Sequence, residues 1–416
     1  MRIWQDKKKI GIWGAGQEGL AAYRFLKSRS SEASFTFLND TEVSKELPEE
    51  IITGEASIKV IRDGQFDLII KSPGISLYRP EIKHAKDKGT IFSSGTNLWF
   101  EEHADAPKIV ITGTKGKSTV ASLIHFMLVQ SDIDSVLAGN IGIPLLECEP
   151  GEDVTVIELS SYQIADLNLV SYNLIDVAVF TNLYPEHVPW HNGDVQTYYK
   201  DKLRLSDFAE IDIANGMDLT LRELMGEDTN WIMPDQMVCP LKGTHNKMNL
   251  ALALNAIEAF GYDTDDMADT LENFQTLPHR LQEIGTTANG VLYVNDSIST
   301  VPEATLAALD AYKDCSVILI MGGEDRGQDY TDFAEQIKNY DVKHVFTLPE
   351  NNIKIEKALW DICATTSCDN LKEAVTEALK IATKGDVLLL SPAAPSYVQF
   401  NNFEHRGQVF KELCGF

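Results

Sequence analysis

The chain has 416 residues, 44% hydrophobic and 24% charged, which is enough apolar material for two or three separate cores. Its 36 basic and 62 acidic side chains give a formal charge of −26. Such a surface repels nucleic-acid backbones and anionic membranes, so neither is expected as a partner, and an anionic ligand needs locally concentrated Lys, Arg and backbone N–H groups.

The start, MRIWQDKKKI, is basic, with no apolar stretch of signal-peptide length behind it. No segment reaches the roughly 20 apolar residues of a membrane span. Cys148, Cys239, Cys315, Cys363, Cys368 and Cys414 form no CxxC pair and no Cys/His cluster of zinc spacing. Reduced thiols in a cytoplasmic protein are expected.

Strand-like apolar runs alternate with amphipathic stretches: KKIGIWGAG precedes EGLAAYRFLKS, FDLIIKSPG precedes RPEIKHAKDKG, and KIVITGTKG precedes STVASLIHFMLV. The alternation predicts an α/β fold of βαβ units with mainly parallel sheets. A polar, proline-containing stretch, EEHADAPK (101–108), marks one boundary, and Pro278 within FQTLPHRLQEIG (274–285) marks another. Three α/β pieces result: 1–104, 105–278 and 279–416.

In the first piece, IGIWGAGQEGL carries Gly14, Gly16 and Gly19 in G-x-G-x-x-G spacing between a strand and a helix, with Asp40 as the acidic candidate downstream. The glycines allow a tight turn that seats a diphosphate near helix N–H groups. NAD or FAD, another diphosphate such as a UDP-sugar, and a purely structural turn all fit this motif. A second glycine turn, Ser72-Pro73-Gly74-Ile75, and a third, Ser94-Gly95-Thr96-Asn97, end later strands, where such sheets bind ligands.

In the second piece, KIVIT runs into Gly113-Thr114-Lys115-Gly116-Lys117-Ser118-Thr119 and then a helix. The loop is shorter than the usual G-x-x-x-x-G-K-[ST], but its backbone N–H groups can ring a phosphate, Lys117 can neutralise phosphate charge, and Ser118 or Thr119 can offer a hydroxyl to Mg²⁺. Glu158 closes the apolar run VTVIELSS, where a buried charge is costly unless paired or on a metal. His187 sits beyond the strand DVAVFTN. Lys202, in YYKDKLRL, reads from composition alone as a solvated surface lysine. His245, Asn246 and Asn249 start a long amphipathic helix, either as caps or as nucleotide contacts.

Taken together, GTKGKST, GNIG (139–142), ELSSYQ (158–163), NLYPEH (182–187), GTHN (243–246), PHR (278–280), NDS (295–297) and SPAAPS (391–396) resemble the Mur ligases in identity and order, over essentially the whole chain. The similarity is greatest to the UDP-N-acetylmuramoyl-L-alanine:glutamate ligases (MurD-type). It implies a Rossmann-like UDP-binding domain, a P-loop ATPase domain and a Rossmann-like C-terminal domain. It also implies ATP-dependent amide bond formation through an acyl phosphate in peptidoglycan precursor synthesis, with ATP and two Mg²⁺ ions. Gly113 to Thr119, Asn246, Arg280 and Asp296 would hold ATP. Ser118, Glu158, His187 and a carbamylated Lys202 would be associated with metal. Gly14, Gly16, Gly19, Ser72, Gly74, Asn140, Ser160 and Gln163 would hold the UDP-substrate. Lys117, His187 and Lys202 would be catalytic, with His187 one candidate base.

The C-terminal piece departs from the common D-glutamate ligases. NDSKAT becomes NDSIST, placing Ile298, Ser299 and Thr300 there, and Arg326 stands where a lysine is usual. Arg for Lys changes a point charge into a planar fork. Thr300, Arg326, Ser396 and Phe403 are the expected glutamate contacts. KSPGIS, GTNLWF, WGAGQEG and NDSIST are similar to the L-glutamate-adding branch, in which a separate epimerase acts afterwards, so L-glutamate is expected, with D-glutamate the alternative. A monomer is expected. A folylpolyglutamate synthase, a nicotinamide oxidoreductase and a non-catalytic nucleotide-binding module are the competing classes.

Overall fold

The computed structural model describes residues 2–30, 32–44, 46–141, 145–168, 174–234, 239, 241, 243–274, 278–397 and 399–416. Gly142 of the GNIG motif and residues 275–277 of the second expected boundary lie outside them. The chain divides into two compact units, Met1–Gln236 with Met248–Glu272, and Met237–Lys247 with Asn273–Phe416.

The first unit carries two sheets. One consists of β1 (Lys9–Trp13), β2 (Ser34–Asn39), β3 (Ile51–Thr53), β4 (Leu68–Lys71) and β5 (Ile91–Ser93). Their order is β3-β2-β1-β4-β5, with every pairing parallel. The chain reverses direction across the sheet at β1, between β2 and β4. Such a switch point leaves a crevice at the strands' carboxyl ends. The Gly14–Gly19 loop and the Ser72–Ile75 loop follow β1 and β4 and therefore flank this crevice.

The other sheet of this unit holds β6 (Lys108–Thr112), β7 (Ser135–Gly139), β8 (Val154–Glu158), β9 (Ile175–Phe180), β10 (Ala209–Asn215) and β11 (Asn230–Ile232). The order is β11-β10-β9-β6-β8-β7, again parallel throughout. Every residue of β6 and β8 is buried, which is why both read as unbroken apolar runs: helices cover both faces of a parallel sheet. Burying each of Ile109, Val110 and Ile111 contributes about 1.5–3 kcal/mol. β6 is the switch point here, and the Gly113–Thr119 loop leaves its carboxyl end.

The second unit holds β12 (Gln282–Thr286), β13 (Leu292–Asn295), β14 (Val317–Gly322), β15 (Val342–Leu348), β16 (Thr365–Ser367) and β17 (Val387–Leu390), ordered β12-β13-β17-β14-β15-β16. Only the edge pairing of β12 with β13 is antiparallel. The loops after β13, β17 and β14, which carry the expected glutamate contacts, leave adjacent strands at the same edge.

Among the described residues no helix is long and apolar enough to cross a membrane. The six cysteines are free thiols.

Candidate active site

A cavity of about 530 Å³ in the first unit is lined from both of its sheets. The first sheet contributes Gly16, Ser72 and Gly74; the second contributes Gly113, Lys117, Asn140, Ser160, Gln163, His187 and Lys202. Residues expected for the UDP-substrate and residues expected for ATP and metal thus share one space.

The three glycines of the first loop differ in what they do. Gly14 has φ of 112°, and a Cβ there would overlap Ser72 Oγ; one on Gly19 would overlap the Gly14 carbonyl. Those two glycines permit close packing, while Gly16 has open space beside it and lines the cavity. Asp40 is engaged elsewhere: Trp13 Nε1 donates to it at 3.0 Å, and Arg79 pairs with it.

The phosphate-type loop is braced by the strand-end residues after β9. Thr114 N–H donates to Asn182 O at 2.8 Å, and Lys115 N–H to Asn182 Oδ1 at 2.8 Å. Thr181 Oγ1 and Asn182 Nδ2 both donate to Lys115 O. Thr114 Oγ1 meets Tyr198 OH at 2.8 Å, and Lys115 pairs with Glu186 at 2.8 Å. Thr114 and Lys115 therefore fix the loop with two of its backbone N–H groups. Gly116, at φ 85°, caps the Lys117–Gln130 helix, and a Cβ on it would lie 2.7 Å from Asn249 Oδ1. Lys117, Ser118 and Thr119 form the first turn of that helix, whose dipole favours an anion. Lys117 Nζ donates to Thr114 O at 3.1 Å.

Lys202 corrects the composition reading: it is 2% exposed, with Nζ donating to Gly113 O at 2.8 Å. Burial, then the charge of Lys117, holds its amine well below the ordinary lysine range, against Glu186 and Glu158. Glu158 is 1% exposed. Its Oε1 accepts from Asn140 Nδ2 at 3.1 Å. Its Oε2 is buried without a hydrogen-bond partner among the described residues. An uncompensated buried carboxylate oxygen suits a hard cation, which prefers oxygen ligands. Among the described residues no group of three or more His, Cys, Asp or Glu could hold a metal, so Glu158 and His187 would need oxygens from other sources.

His187 takes a left-handed backbone, φ 55°, and its ring lies 5.1 Å from Tyr162. Desolvation by the surrounding loops lowers its pKa; Glu186 opposes this, and Lys115, Lys202 and Lys117 add to it. That direction favours the neutral ring, the form able to accept a proton or a metal. Ser160 and Gln163 cap the short Ser161–Ala165 helix: Ser160 N–H donates to Gln163 Oε1 at 2.9 Å, and Gln163 N–H donates back to Ser160 Oγ.

The remaining nucleotide candidates belong to the second unit. Asn246 begins the Thr244–Phe260 helix and is 7% exposed. Arg280 precedes β12. Asp296, 3% exposed, accepts from Ser299 and Ser391 hydroxyls and from Leu281 N–H. Burial pushes its pKa up to about 6.

One glutamate candidate, Phe403, is linked through Ser297 to a buried guanidinium. Arg406, 1% exposed, donates to Ser297 Oγ (3.0 Å) and Ser297 O (2.8 Å) after β13, and to Ala394 O (3.0 Å) after β17. Ser297 Oγ in turn donates to Phe403 O at 2.8 Å. Ser396 is buried and Thr300 half-buried. Arg326 is exposed, pairs with Glu324 at 2.8 Å, and lies 5.5 Å over the Tyr397 ring.

Family models account for most of the chain. The Mur ligase MurD-like N-terminal domain matches residues 8–93, the Mur ligase middle domain 111–234, and the Mur ligase glutamate ligase domain 279–394. A UDP-N-acetylmuramoyl-L-alanine--L-glutamate ligase of Xanthomonas euvesicatoria pv. vesicatoria (strain 85-10) is 37% identical across 100% of this chain and 97% of its own. The chain belongs to the Mur ligase family. A Xylella fastidiosa (strain 9a5c) relative of the same description is 36% identical over 98% of this chain and 95% of its own. Among solved structures, the MurF ligase from Thermotoga maritima in complex with ADP superposes with a TM-score of 0.62, at 15% identity, covering 99% of this chain and 96% of its own. At that identity the likeness speaks for the fold: the three-part α/β architecture of Mur ligases. As a Mur ligase, the chain is an acid–amino-acid ligase.

Several residues of this Mur ligase's cavity escaped the sequence reading. Tyr162, Glu186 and Tyr198 line it. Behind it, Lys71 Nζ donates to Asp166 Oδ2 at 2.6 Å in an ion pair buried on both sides. Burial works against both charges, raising the Asp166 pKa and lowering that of Lys71, and each charge offsets the other's cost. Lys71 stood in the quoted KSPGIS, but its partner lies 95 residues on, and no local pattern links them.

Proposed function

We propose that this Mur ligase uses ATP to join L-glutamate to the alanine carboxylate of UDP-N-acetylmuramoyl-L-alanine, in cytoplasmic peptidoglycan precursor synthesis. The observation that carries the proposal is the shared cavity, where the glycine loops of the first sheet face Lys117, His187 and Lys202 of the second. A nicotinamide enzyme would leave that juxtaposition unused. The assigned domains are 1–104 for the UDP moiety, 105–278 for ATP and 279–416 for glutamate.

In the proposed reaction the alanine carboxylate attacks the γ-phosphorus of ATP and the bond to the β–γ bridging oxygen breaks, releasing ADP. The glutamate amine then attacks the acyl phosphate carbon, the carbon–oxygen bond to phosphate breaks, and phosphate leaves. Lys117 and the start of the Lys117–Gln130 helix stabilise charge on the transferring phosphoryl group. Mg²⁺ held by Glu158, with Ser118 and His187 nearby, would supply further charge neutralisation. One carboxylate is few for two ions. The depressed pKa of Lys202 favours the neutral amine, the form that takes up CO₂, and a carbamate there would add a second anionic oxygen ligand. The incoming ammonium must lose a proton, and neutral His187 is a candidate acceptor.

Arg326, Ser396, Phe403 and Thr300 are proposed to choose the amino acid, and an epimerase to act on the L-glutamyl product. The test is ADP release with UDP-N-acetylmuramoyl-L-alanine, Mg²⁺ and ATP, with L- and D-glutamate side by side. Turnover with L-glutamate alone is expected. Turnover with D-glutamate alone would overturn the choice of isomer, and silence with both would overturn the substrate.

A further inference from the structure

One tryptophan touches both halves of the cavity wall and has no role in the reaction above. Trp190 is 8% exposed. Its Nε1 donates to Pro73 O at 3.0 Å and to Gly74 O at 3.2 Å. Ser76 Oγ donates back to Trp190 O. The ring stacks on Tyr162 of the cavity wall, with centroids 4.5 Å apart and planes inclined by 22°.

These bonds set the orientation of the Ser72–Ile75 loop. Ile75 N–H is already taken by Ser72 O at 3.0 Å, and Pro73 has no N–H. In a trans peptide the C=O and the following N–H point in opposite directions. Holding the Pro73 carbonyl against Trp190 therefore turns Gly74 N–H to the other side, and Gly74 is a cavity-lining residue. A Cβ on Gly74 would meet nothing within 4 Å, so the space beside this part of the loop is open.

The loop's far end is tied to the catalytic side. Tyr78 OH lies 2.7 Å from both oxygens of Asp201. Asp201 Oδ2 meets His191 Nδ1 at 2.6 Å, and His191 Nε2 meets Ser161 Oγ at 3.0 Å. With its proton on Nδ1, His191 donates to Asp201 and accepts from Ser161. Asp201 directly precedes Lys202, and Ser161 directly follows Ser160. Ser161 is 2% exposed and His191 fully buried, so these bonds tie elements together rather than present a nucleophile.

We propose that Trp190 is a positioning residue for the substrate's diphosphate. It holds the Ser72–Ile75 loop with its donor toward the cavity, while the Tyr78–Asp201–His191–Ser161 chain of bonds keeps that loop in register with the Lys202 helix. The inference rests on the UDP-substrate reading above. It adds a residue that never touches the substrate yet sets its affinity.

The test uses the full chain with Trp190→Phe, which keeps a ring and removes the N–H, and Tyr78→Phe, which removes one hydroxyl. Losing the indole donor should raise KM for UDP-N-acetylmuramoyl-L-alanine about tenfold, with kcat within about threefold and KM for ATP unchanged. Tyr78→Phe should raise the same KM by about three- to fivefold. Calorimetric binding of UDP and of ATP gives the same contrast without turnover. An unchanged KM for the UDP-substrate, or an equal weakening toward ATP and UDP, overturns the proposal. If Trp190→Phe does not fold, Tyr78→Phe decides by the same criteria. A wild-type chain that binds UDP without releasing ADP would refute the assigned reaction and leave the loop to be judged by UDP binding. One that binds no UDP overturns both.

Discussion

Replacing Glu158 with glutamine should make the protein more stable and the enzyme inactive. The carboxylate is 1% exposed, one oxygen has a single bond from Asn140, and the other is buried with no partner among the described residues. Burying an unpaired charge costs more than burying an unpaired amide, for which the penalty is about 1–3 kcal/mol. Attraction to Lys202 returns part of that difference. A net gain of about 1–2 kcal/mol without metal is expected, which raises the unfolding temperature of the first unit by about 3–6 °C. Saturating Mg²⁺ reverses the order. A metal present at 100 times its Kd stabilises the wild type by about 2.7 kcal/mol, and the glutamine variant gains little. The assay is differential scanning calorimetry with and without MgATP, alongside ADP release, which should fall by more than about 100-fold. A glutamine variant that is less stable without metal, and still gains the full Mg²⁺-dependent shift, would show that Glu158 is a structural ion-pair partner and that the metal argument is wrong.

Lys202→Arg keeps a cation but removes an amine that can be carbamylated; ADP release should fall more than about 100-fold. Wild-type enzyme stripped of CO₂ should likewise lose activity and regain it with bicarbonate, while the variant does not respond. Arg406→Met removes four bonds, three short ones to Ser297 Oγ, Ser297 O and Ala394 O worth about 1.5–3 kcal/mol each and a longer one to Gly322 O at 3.5 Å. Burial pulls the Arg406 pKa down to about 9, so its desolvation offsets part of that gain. Adding the orphaned carbonyls, the second unit should lose about 3 kcal/mol on chemical denaturation. KM for glutamate should rise more than KM for the UDP-substrate. Asp296 titrates near 6 in the fold against an ordinary 3.8, so the folded chain holds that proton more tightly. Its contribution is full below pH 3.8 and is lost as pH rises through 6, a change of about 3 kcal/mol. Urea unfolding at pH 4 and pH 6.5 should show this loss in the wild type, and Asp296→Asn should lack it.

The order of strands and helices was legible because each periodic run buries a face of its own, and that signal is local. KIVIT and VTVIE read as buried strands, and both are. The phosphate-type loop was legible because positive φ at Gly113 and Gly116 requires glycine. Glu158 stood out because a carboxylate ending an apolar strand needs a reason. The composition reading failed at Lys202, which stands beside Lys200, Asp201 and Arg204 along the chain while its amine is buried against Gly113 O, 89 positions away. Within the loop expected to ring a phosphate, the Thr114 and Lys115 N–H groups both bond Asn182, a partner no local spacing indicates.

Sequence by itself determined the fold class, the family and which loops would carry chemistry, since those follow from periodicity, glycine spacing and short motifs. Tertiary structure decided which of the named residues share one cavity. It also decided that Trp190 orients the Ser72–Ile75 loop, that Tyr78 reaches Asp201 across 123 positions, and that Arg406 joins the loops after β13 and β17. Such pairings depend on strand order, because β1, β6 and β17 gain their neighbours through crossovers, and no spacing along the chain encodes them.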